Sequence, residues 1–354
     1  MATPSPPENA YHVAMPSVTL SDVAREAGVS LATASRAING SANRTVRPEL
    51  GERVLAAAAR LGYSPDANAQ AMARGRTTTL GLIVHDIADP YFSSIAAGVS
   101  AAAEEEGLMV TLASTAHRPE RETALLEMLQ SQRARAIVIA GGRQDDAKTT
   151  DALRAAVAAY EDRGGTVAMI AQPILQVNTV AIDNAAGAAA LARALVEIGY
   201  REFAILTGPR THLTGAERTT GFAGAVADEG LSVPEAALVE CAFTRDGGYA
   251  GMAELLRTGP KVQAVFAVND VMAMGAMAAA RDAGLVVGAD IGVAGFDDIH
   301  TLRDVTPGLS TVAVPLPEVG RMATRLALEP AGPEPRVQRV PVQVVLRDST
   351  PPLL

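Results

Sequence analysis

The sequence predicts an α + α/β chain, with a small all-helical headpiece followed by a larger two-lobed α/β core. Three observations lead there. Between Val18 and Tyr63, apolar residues recur at helical spacing between cap and stop signals. Beyond Thr79, short apolar runs alternate with Ala-rich helical stretches, the pattern of parallel sheets covered by helices. The core also repeats weakly: a run from Leu80 leads through a loop and helix to EEEGL at Glu104–Leu108, and one from Phe203 leads to DEGL at Asp228–Leu231. Two similar halves imply two lobes with a ligand cleft between them. At 354 residues the chain has room for two or three domains of ~100–200 residues each.

Taken in order, residues 1–16 are Pro-rich and polar and are expected to be a disordered leader, with Met15 as an alternative start. Residues 17–63 are expected to form the headpiece. Thr19 caps a first helix, Asp22 suits the positive end of its dipole, and Gly28 stops it. Ser30 caps a second helix, Leu31 to Ile38, which Asn39-Gly40 ends. Pro48 opens a third, closed by Gly62 after Leu61. Residues 64–78 are a polar, Ala-rich connector. The core, 79–354, is expected to place strands at Leu80–Val84, Met109–Ala113, Ala136–Ala140, Val167–Ala171, Phe203–Leu206, Ala264–Val268 and Ile291–Gly295.

Composition removes several classes. Cys241 is the only cysteine, so neither an internal disulfide nor a cysteine-based zinc or iron–sulfur site is expected. No apolar run approaches ~18 residues, so no membrane partner is expected, and the N-terminus does not read as a signal peptide. A cytoplasmic protein follows. Net charge is −9, yet residues 17–76 carry eight Arg against five acidic residues, leaving −12 for the remainder. A basic module on an acidic body suits local phosphate contact, although charge alone does not separate this from scatter. No phosphate-loop, nucleophile-elbow or HExxH pattern is present, and the five histidines are scattered in sequence. Neither catalysis nor a cofactor is expected.

The stretch VTLSDVAREAGVSLATASRAING, Val18–Gly40, reads as helix, glycine turn, helix. Ala24, Ala27, Ala32 and Ala34 are small enough for close helix packing, while Thr33, Ser35 and Arg36 remain for phosphates and base edges. The pattern alone also fits a plain αα-hairpin. The motifs decide: DVA, AGVS, the TASR run and Asn-Gly, followed by RVLAAAARLGYSPDANAQAMARGRT and TLGLIVHDIADPYFSSIAAGV, resemble the lactose-repressor (LacI) family of bacterial transcription regulators. Further matches are VAIDN at Val180–Asn184, ERTTGF at Glu217–Phe222, VFAVNDVMAMGAM at Val265–Met277, VAGFDD at Val293–Asp298, LSTV at Leu309–Val312 and LRDST at Leu346–Thr350.

That resemblance implies a homodimer on palindromic operator DNA, usually repressing, and controlled by a small ligand, typically a sugar, in the cleft of a periplasmic-binding-protein-like core. It implies a hinge helix in the connector. It divides the core into an N-lobe of about 79–176 plus 306–332 and a C-lobe of about 177–305 plus 333–354. Carried over by position, Leu31, Ala32 and Arg36 read bases, while Thr19, Ser30, Thr33, Ser35 and Asn39 contact phosphate or orient the headpiece. In the hinge, Ala69 falls at the minor-groove alanine and Met72 at the wedge, where the family usually has leucine. Two further departures are about two extra residues around Ser41–Val46 and Leu50-Gly51 in place of Thr-Arg. In the cleft, Tyr91 and Phe92 can stack on a ring, and Arg218, Asn269 and Asp297 match the polar effector ligands. His212, Thr214 and Phe243 lie in cleft-facing loops, and Gln172 stands where many members carry aspartate. The rival reading is a solute-binding protein without a DNA-binding role, which the core alone would allow.

Overall fold

The computed structural model describes residues 18–39, 46–64, 77–329, 332 and 334–353. The chain divides into two compact units, residues 1–77 and 78–354, each described by itself. The expected leader, the Gly40 stop, Ala69 and Met72 lie outside the described residues.

The first unit holds α1 (Leu20–Ala27), α2 (Leu31–Asn39) and α3 (Pro48–Leu61). A reciprocal capping box starts α1: Thr19 Oγ1 accepts from the Asp22 N–H, and Asp22 Oδ2 accepts from the Thr19 N–H at 3.0 Å. Gly28 closes it at φ +64°, a conformation that favours glycine. The core is built from Val23, Ala24, Ala27, Ala34, Val54, Ala57 and Ala58, so small side chains set close helix spacing. Arg53 of α3 donates to the Ala27 carbonyl at 2.5 Å and fastens the turn between α1 and α2. Ala32, expected to pack, is exposed instead, because it lies on the outer face of α2.

The second unit runs β1 (Thr79–Val84), α4 (Pro90–Glu105), β2 (Met109–Ser114), α5 (Arg121–Ser131), β3 (Ala136–Ala140), α6 (Ala147–Glu161), β4 (Val167–Ile170) and β5 (Asn178–Ile182). It continues through α7 (Asn184–Glu197), β6 (Phe203–Leu206), α8 (Leu213–Asp228), β7 (Leu238–Val239), α9 (Arg245–Thr258), β8 (Ala264–Ala267), α10 (Asp270–Asp282) and β9 (Gly292–Ala294). Last come β10 (Thr311–Ala313), α11 (Leu316–Leu328), β11 (Val337–Val340) and β12 (Gln343–Val345). Six parallel strands in the order β11-β5-β4-β3-β1-β2 form one lobe's sheet, and β7-β6-β8-β9, also parallel, form the other's. Strands such as AIVIA at β3 and AVFA at β8 are buried along their whole length, as helices on both faces require. Among the described residues no helix is long and apolar enough to cross a membrane.

Three strands correct the expected lobe boundaries. β5 and β11 were assigned to the C-lobe, yet β5 pairs with β4 and β11 pairs with β5 in the first sheet. Contacts distant in sequence hold it there: Asn178 accepts from the Arg336 N–H at 2.9 Å and donates to the Leu326 carbonyl at 3.3 Å, fastening β5 to the first lobe. Conversely β10, expected in the N-lobe, pairs antiparallel with β12, and Ser310 bridges to Ala294 at the end of the second sheet. The chain therefore changes lobes near 183, 314 and 341, each several residues later than expected.

Glycines let the helices cross at backbone distance. A Cβ at Gly98 of α4 would run into the Pro317 carbonyl, and one at Gly320 of α11 into the Ile95 carbonyl. Gly98→Ala is expected to force α4 from α11 and destabilise the core by about 1–3 kcal/mol. Gly224→Ala on α8 is the control, because nothing lies near its Cβ position, and it should stabilise by up to ~1 kcal/mol through helix propensity. Chemical denaturation of both variants checks the pair; equal stabilities would mean that α4 and α11 do not approach so closely.

Candidate functional site

The headpiece carries one candidate surface. At the start of α2, Ser30 Oγ accepts from the Thr33 N–H at 3.1 Å and lies 2.9 Å from Thr33 Oγ1, while Asn39 donates to Ser35 Oγ at 3.2 Å. These groups shape the helix ends. Leu31 is 51% exposed and Ala32 is exposed, an apolar pair at the helix N-terminus that no core residue covers. Arg36, one turn on, makes no ion pair or hydrogen bond with a described residue, in contrast to Arg25, Arg53 and Arg60, which are engaged by Asp22, the Ala27 carbonyl and Glu26.

The core carries a second candidate site, a cavity of about 260 Å³ within the two-lobed unit. Its wall is built at the carboxyl ends of strands, where parallel sheets commonly place ligands. His85 follows β1, His117 follows β2, Gly142 follows β3, His212 follows β6, Phe243 follows β7, Asn269 follows β8 and Asp297 follows β9. Tyr91, Phe92, Thr214 and Arg218 complete the expected set in this cavity. Gln172 does not reach it; it lines a small neighbouring recess with Tyr91, Thr214 and Arg218, because its amide is held by Thr214 Oγ1 at 3.1 Å and Glu217 Oε2 at 3.0 Å.

Arg218 is the polar centre, though only 2% exposed. Its Nε donates to Asn184 Oδ1 at 2.9 Å, one terminal nitrogen to the Val268 carbonyl at 2.7 Å and the other to Asp297 Oδ1 at 2.9 Å. The guanidinium also lies 3.7 Å from the centroid of the Phe296 ring. Three of its five N–H groups are thus committed to orienting it, and two remain. Burial lifts the Asp297 carboxyl, against the pull of Arg218. Asp297 also has φ +118° and Asp298 φ +53°, a strained pair held by the Arg218 contact and by Arg347 on Asp298 at 2.8 Å. Asn269 caps α10 by accepting from the Met272 N–H at 2.9 Å, so one residue both ends a strand and lines the cavity.

The aromatic wall has two parts. Tyr91 and Phe92 meet edge to face at 4.9 Å, and Phe92 is mostly core. His212 stacks on Phe243 with centroids 4.4 Å apart. Burial, together with nearby His85 and Arg218, pushes the His212 imidazole down to about 3, so it is neutral at pH 7, and its Nδ1 is buried without a partner among the described residues. Three histidines that looked scattered in sequence, His85, His117 and His212, therefore share one cavity. The first two, with Gly142 and Gln144, were not anticipated as lining residues. Their position just past apolar strands was the available signal.

Beside the cavity lies a buried ion pair. Arg143 donates to both Glu122 oxygens, at 2.6 and 2.7 Å, and His85 Nε2 stands 3.4 Å from the same carboxylate. The loop holding Arg143 reaches the other lobe through backbone pairing: the Leu213 N–H donates to the Arg143 carbonyl at 2.9 Å, the Asp145 N–H to the Thr211 carbonyl at 2.8 Å, and Gln144 bridges to His212. A Cβ at Gly142 would collide with Thr214 Oγ1, so a bare backbone is needed for this approach.

Comparison with known proteins gives a consistent picture. Residues 19–66 match the family model described as bacterial regulatory proteins, lacI family, and residues 77–345 match that of periplasmic binding proteins and the sugar-binding domain of the LacI family. The chain is 33% identical to the HTH-type transcriptional regulator GalS of Salmonella typhimurium, over 89% of this chain and 90% of that protein. Among solved structures, it resembles the lac repressor dimer bound to operator and the anti-inducer ONPF, with 27% identity, a TM-score of 0.83 and coverage of 95% of this chain and 99% of that one. It also resembles a complex of the transcriptional regulator CelR with cellobiose, with 31% identity, a TM-score of 0.68 and coverage of 94% and 99%.

Proposed function

The chain belongs to the LacI family of bacterial regulators, and from that premise we propose how its residues divide the work. It is a sequence-specific DNA-binding transcriptional repressor that binds operator DNA as a dimer and answers to a small ligand, a sugar, in its core. The observation that carries the residue assignment is the uncommitted face at the start of α2. Leu31 and Ala32 offer only apolar contact, suited to thymine methyls, while the Arg36 guanidinium, unpaired among the described residues, would take a guanine edge. Thr19, Ser30, Thr33, Ser35 and Asn39 would take phosphate contacts or orient the headpiece. Ala69 and Met72 are retained as minor-groove contacts of the connector.

In the core, the cavity is slightly smaller than the roughly 300–1,000 Å³ of common ligand sites, which suits one sugar ring. The free N–H groups of Arg218, Asp297, Asn269 and His212 Nδ1 would hold hydroxyls, and the His212–Phe243 stack and Tyr91 would cover the apolar faces of the ring. Ligand binding between the lobes changes their mutual packing. That change is passed to DNA through the connector, residues 64–78.

Arg36→Ala is expected to cost ~1–3 kcal/mol on the operator and to relax base preference at one position in each half-site. Fluorescence anisotropy on the operator and its single-base variants, over a salt series, reads both effects. Wild-type affinity should fall with salt at a slope of roughly −0.9 per phosphate neutralised. Uniform weakening on every sequence would assign Arg36 to phosphate rather than to a base.

A further inference from the structure

A second cavity of about 270 Å³ opens beside the first. The two share Asp89, His117, Phe243 and Thr244 in their linings, so they adjoin across these residues. Pro90, Phe243, Val271 and Met274 give the outer chamber an apolar lining. Its polar side chains are Asp86, Asp89, His117, Thr244 and Arg245. Asp86 accepts from the Ala88 N–H at 3.0 Å and lies 3.3 Å from His117 Nε2. Asp89, on the partition, accepts from the Tyr91 N–H through one oxygen at 2.9 Å, and its other oxygen has no partner among the described residues. Arg245, the cation of this chamber, is engaged by Asp246 at 2.9 Å and lies over Tyr249.

We propose that the effector of this protein is a neutral two-ring saccharide, with one ring in the inner cavity and the second in the outer chamber, and with Asp89 accepting hydroxyls at the junction. This rests on the reading above that the inner cavity takes a sugar. The argument is one of size and charge. The inner cavity is too small for two rings, and the adjoining chamber matches it in volume. A lining of apolar side chains together with acceptor carboxylates suits a pyranose, whose C–H face is apolar and whose hydroxyls donate. Asp86 and Asp89 outnumber Arg245, which already faces Asp246, and so weigh against a phosphate or other anion there.

Isothermal titration calorimetry on the full chain tests this. The probes are glucose and galactose, the disaccharides cellobiose, lactose, maltose and trehalose, and glucose 6-phosphate. At least one disaccharide should bind about tenfold or more tighter than either monosaccharide. Ala88→Trp should fill the outer chamber and remove that advantage, while monosaccharide affinity stays within about twofold; Ala88→Leu gives a smaller step in the same direction. If monosaccharides bind as tightly as every disaccharide, or if Ala88→Trp leaves disaccharide affinity unchanged, the outer subsite is wrong. The inner-cavity reading then survives wherever Arg218→Ala still abolishes monosaccharide binding. Tightest binding of glucose 6-phosphate would overturn the neutral-sugar assignment, and binding of none of these probes would overturn both readings.

Discussion

Arg218→Ala is expected to yield a protein that still binds its operator but no longer responds to its ligand, and to destabilise the core by about 3–5 kcal/mol. The magnitude follows from what the side chain holds. Without it, Asp297 is a buried carboxylate with no cation, and Asn184 Oδ1 and the Val268 carbonyl lose their donor. The strained backbone at Asp297 loses one restraint as well, although the hydrogen bonds from its N–H to the Val312 carbonyl and from the Val314 N–H to its own carbonyl remain. A lysine at 218 restores charge but not the planar fork, so Arg218→Lys should recover part of the stability and little of the ligand response. Thermal denaturation, with a fall on the order of 10 °C, and operator anisotropy with and without sugar read the two effects separately. A variant with full ligand response would remove Arg218 from the site.

The second large effect is expected at Glu122, which does not line the cavity. Glu122→Ala strips the counterion from a buried arginine and should also cost about 3–5 kcal/mol. Its loss should reach the ligand as well. Arg143 anchors the loop whose backbone pairs with residues 211–213 of the other lobe, so affinity should fall several-fold through faster dissociation. The ion pair also sets an acid limit. Burial pushes the Glu122 carboxyl up, but hydrogen bonds from His85 and Arg143 and their charges outweigh this and bring it to about 2, against an ordinary 4.5. The folded value lies below the unfolded one, so the stabilisation is complete above about 4.5 and fades as pH falls from there through about 2. Glu122→Gln keeps the shape and removes the titration. Urea denaturation of both proteins across that window should show a shallower acid slope for the glutamine variant, and parallel slopes would mean that Glu122 does not titrate as an ion-paired group.

Local chemistry was legible in the sequence wherever one short segment contains both partners. The Thr19–Asp22 capping box, the Gly28 and Gly62 stops and the runs at β1, β3 and β8 are of this kind, since each depends on neighbours a few residues away. The lobe boundaries were not, because β5 joins the first sheet through Asn178 and its contacts at Leu326 and Arg336, about 150 residues downstream. The site divides in the same way. Arg218, Asn269 and Asp297 sit in recognisable motifs, whereas His85, His117 and His212 come together only when three strands of two sheets end at one cavity. Gln172 shows the limit of transfer by position: it has the place expected for a ligand contact, but its longer amide turns to Thr214 and Glu217.

The three lobe changes have a consequence for synthesis on the ribosome. Neither lobe is a continuous stretch of chain, so no point of elongation before the last strands leaves a finished one behind. β5 emerges with one edge bare, and its partner β11 is made about 160 residues later, a delay of roughly 8–30 s at 5–20 residues per second. Over that interval the nascent first sheet carries an open, mostly apolar edge, the kind that recruits a holding chaperone or pairs with a neighbouring chain. The headpiece, with its own small core, has no such wait. A nonsense codon near the end of the reading frame, or a stall before β11, is thus as damaging to the ligand-sensing half as a lesion at its centre, while the DNA-reading half is already complete.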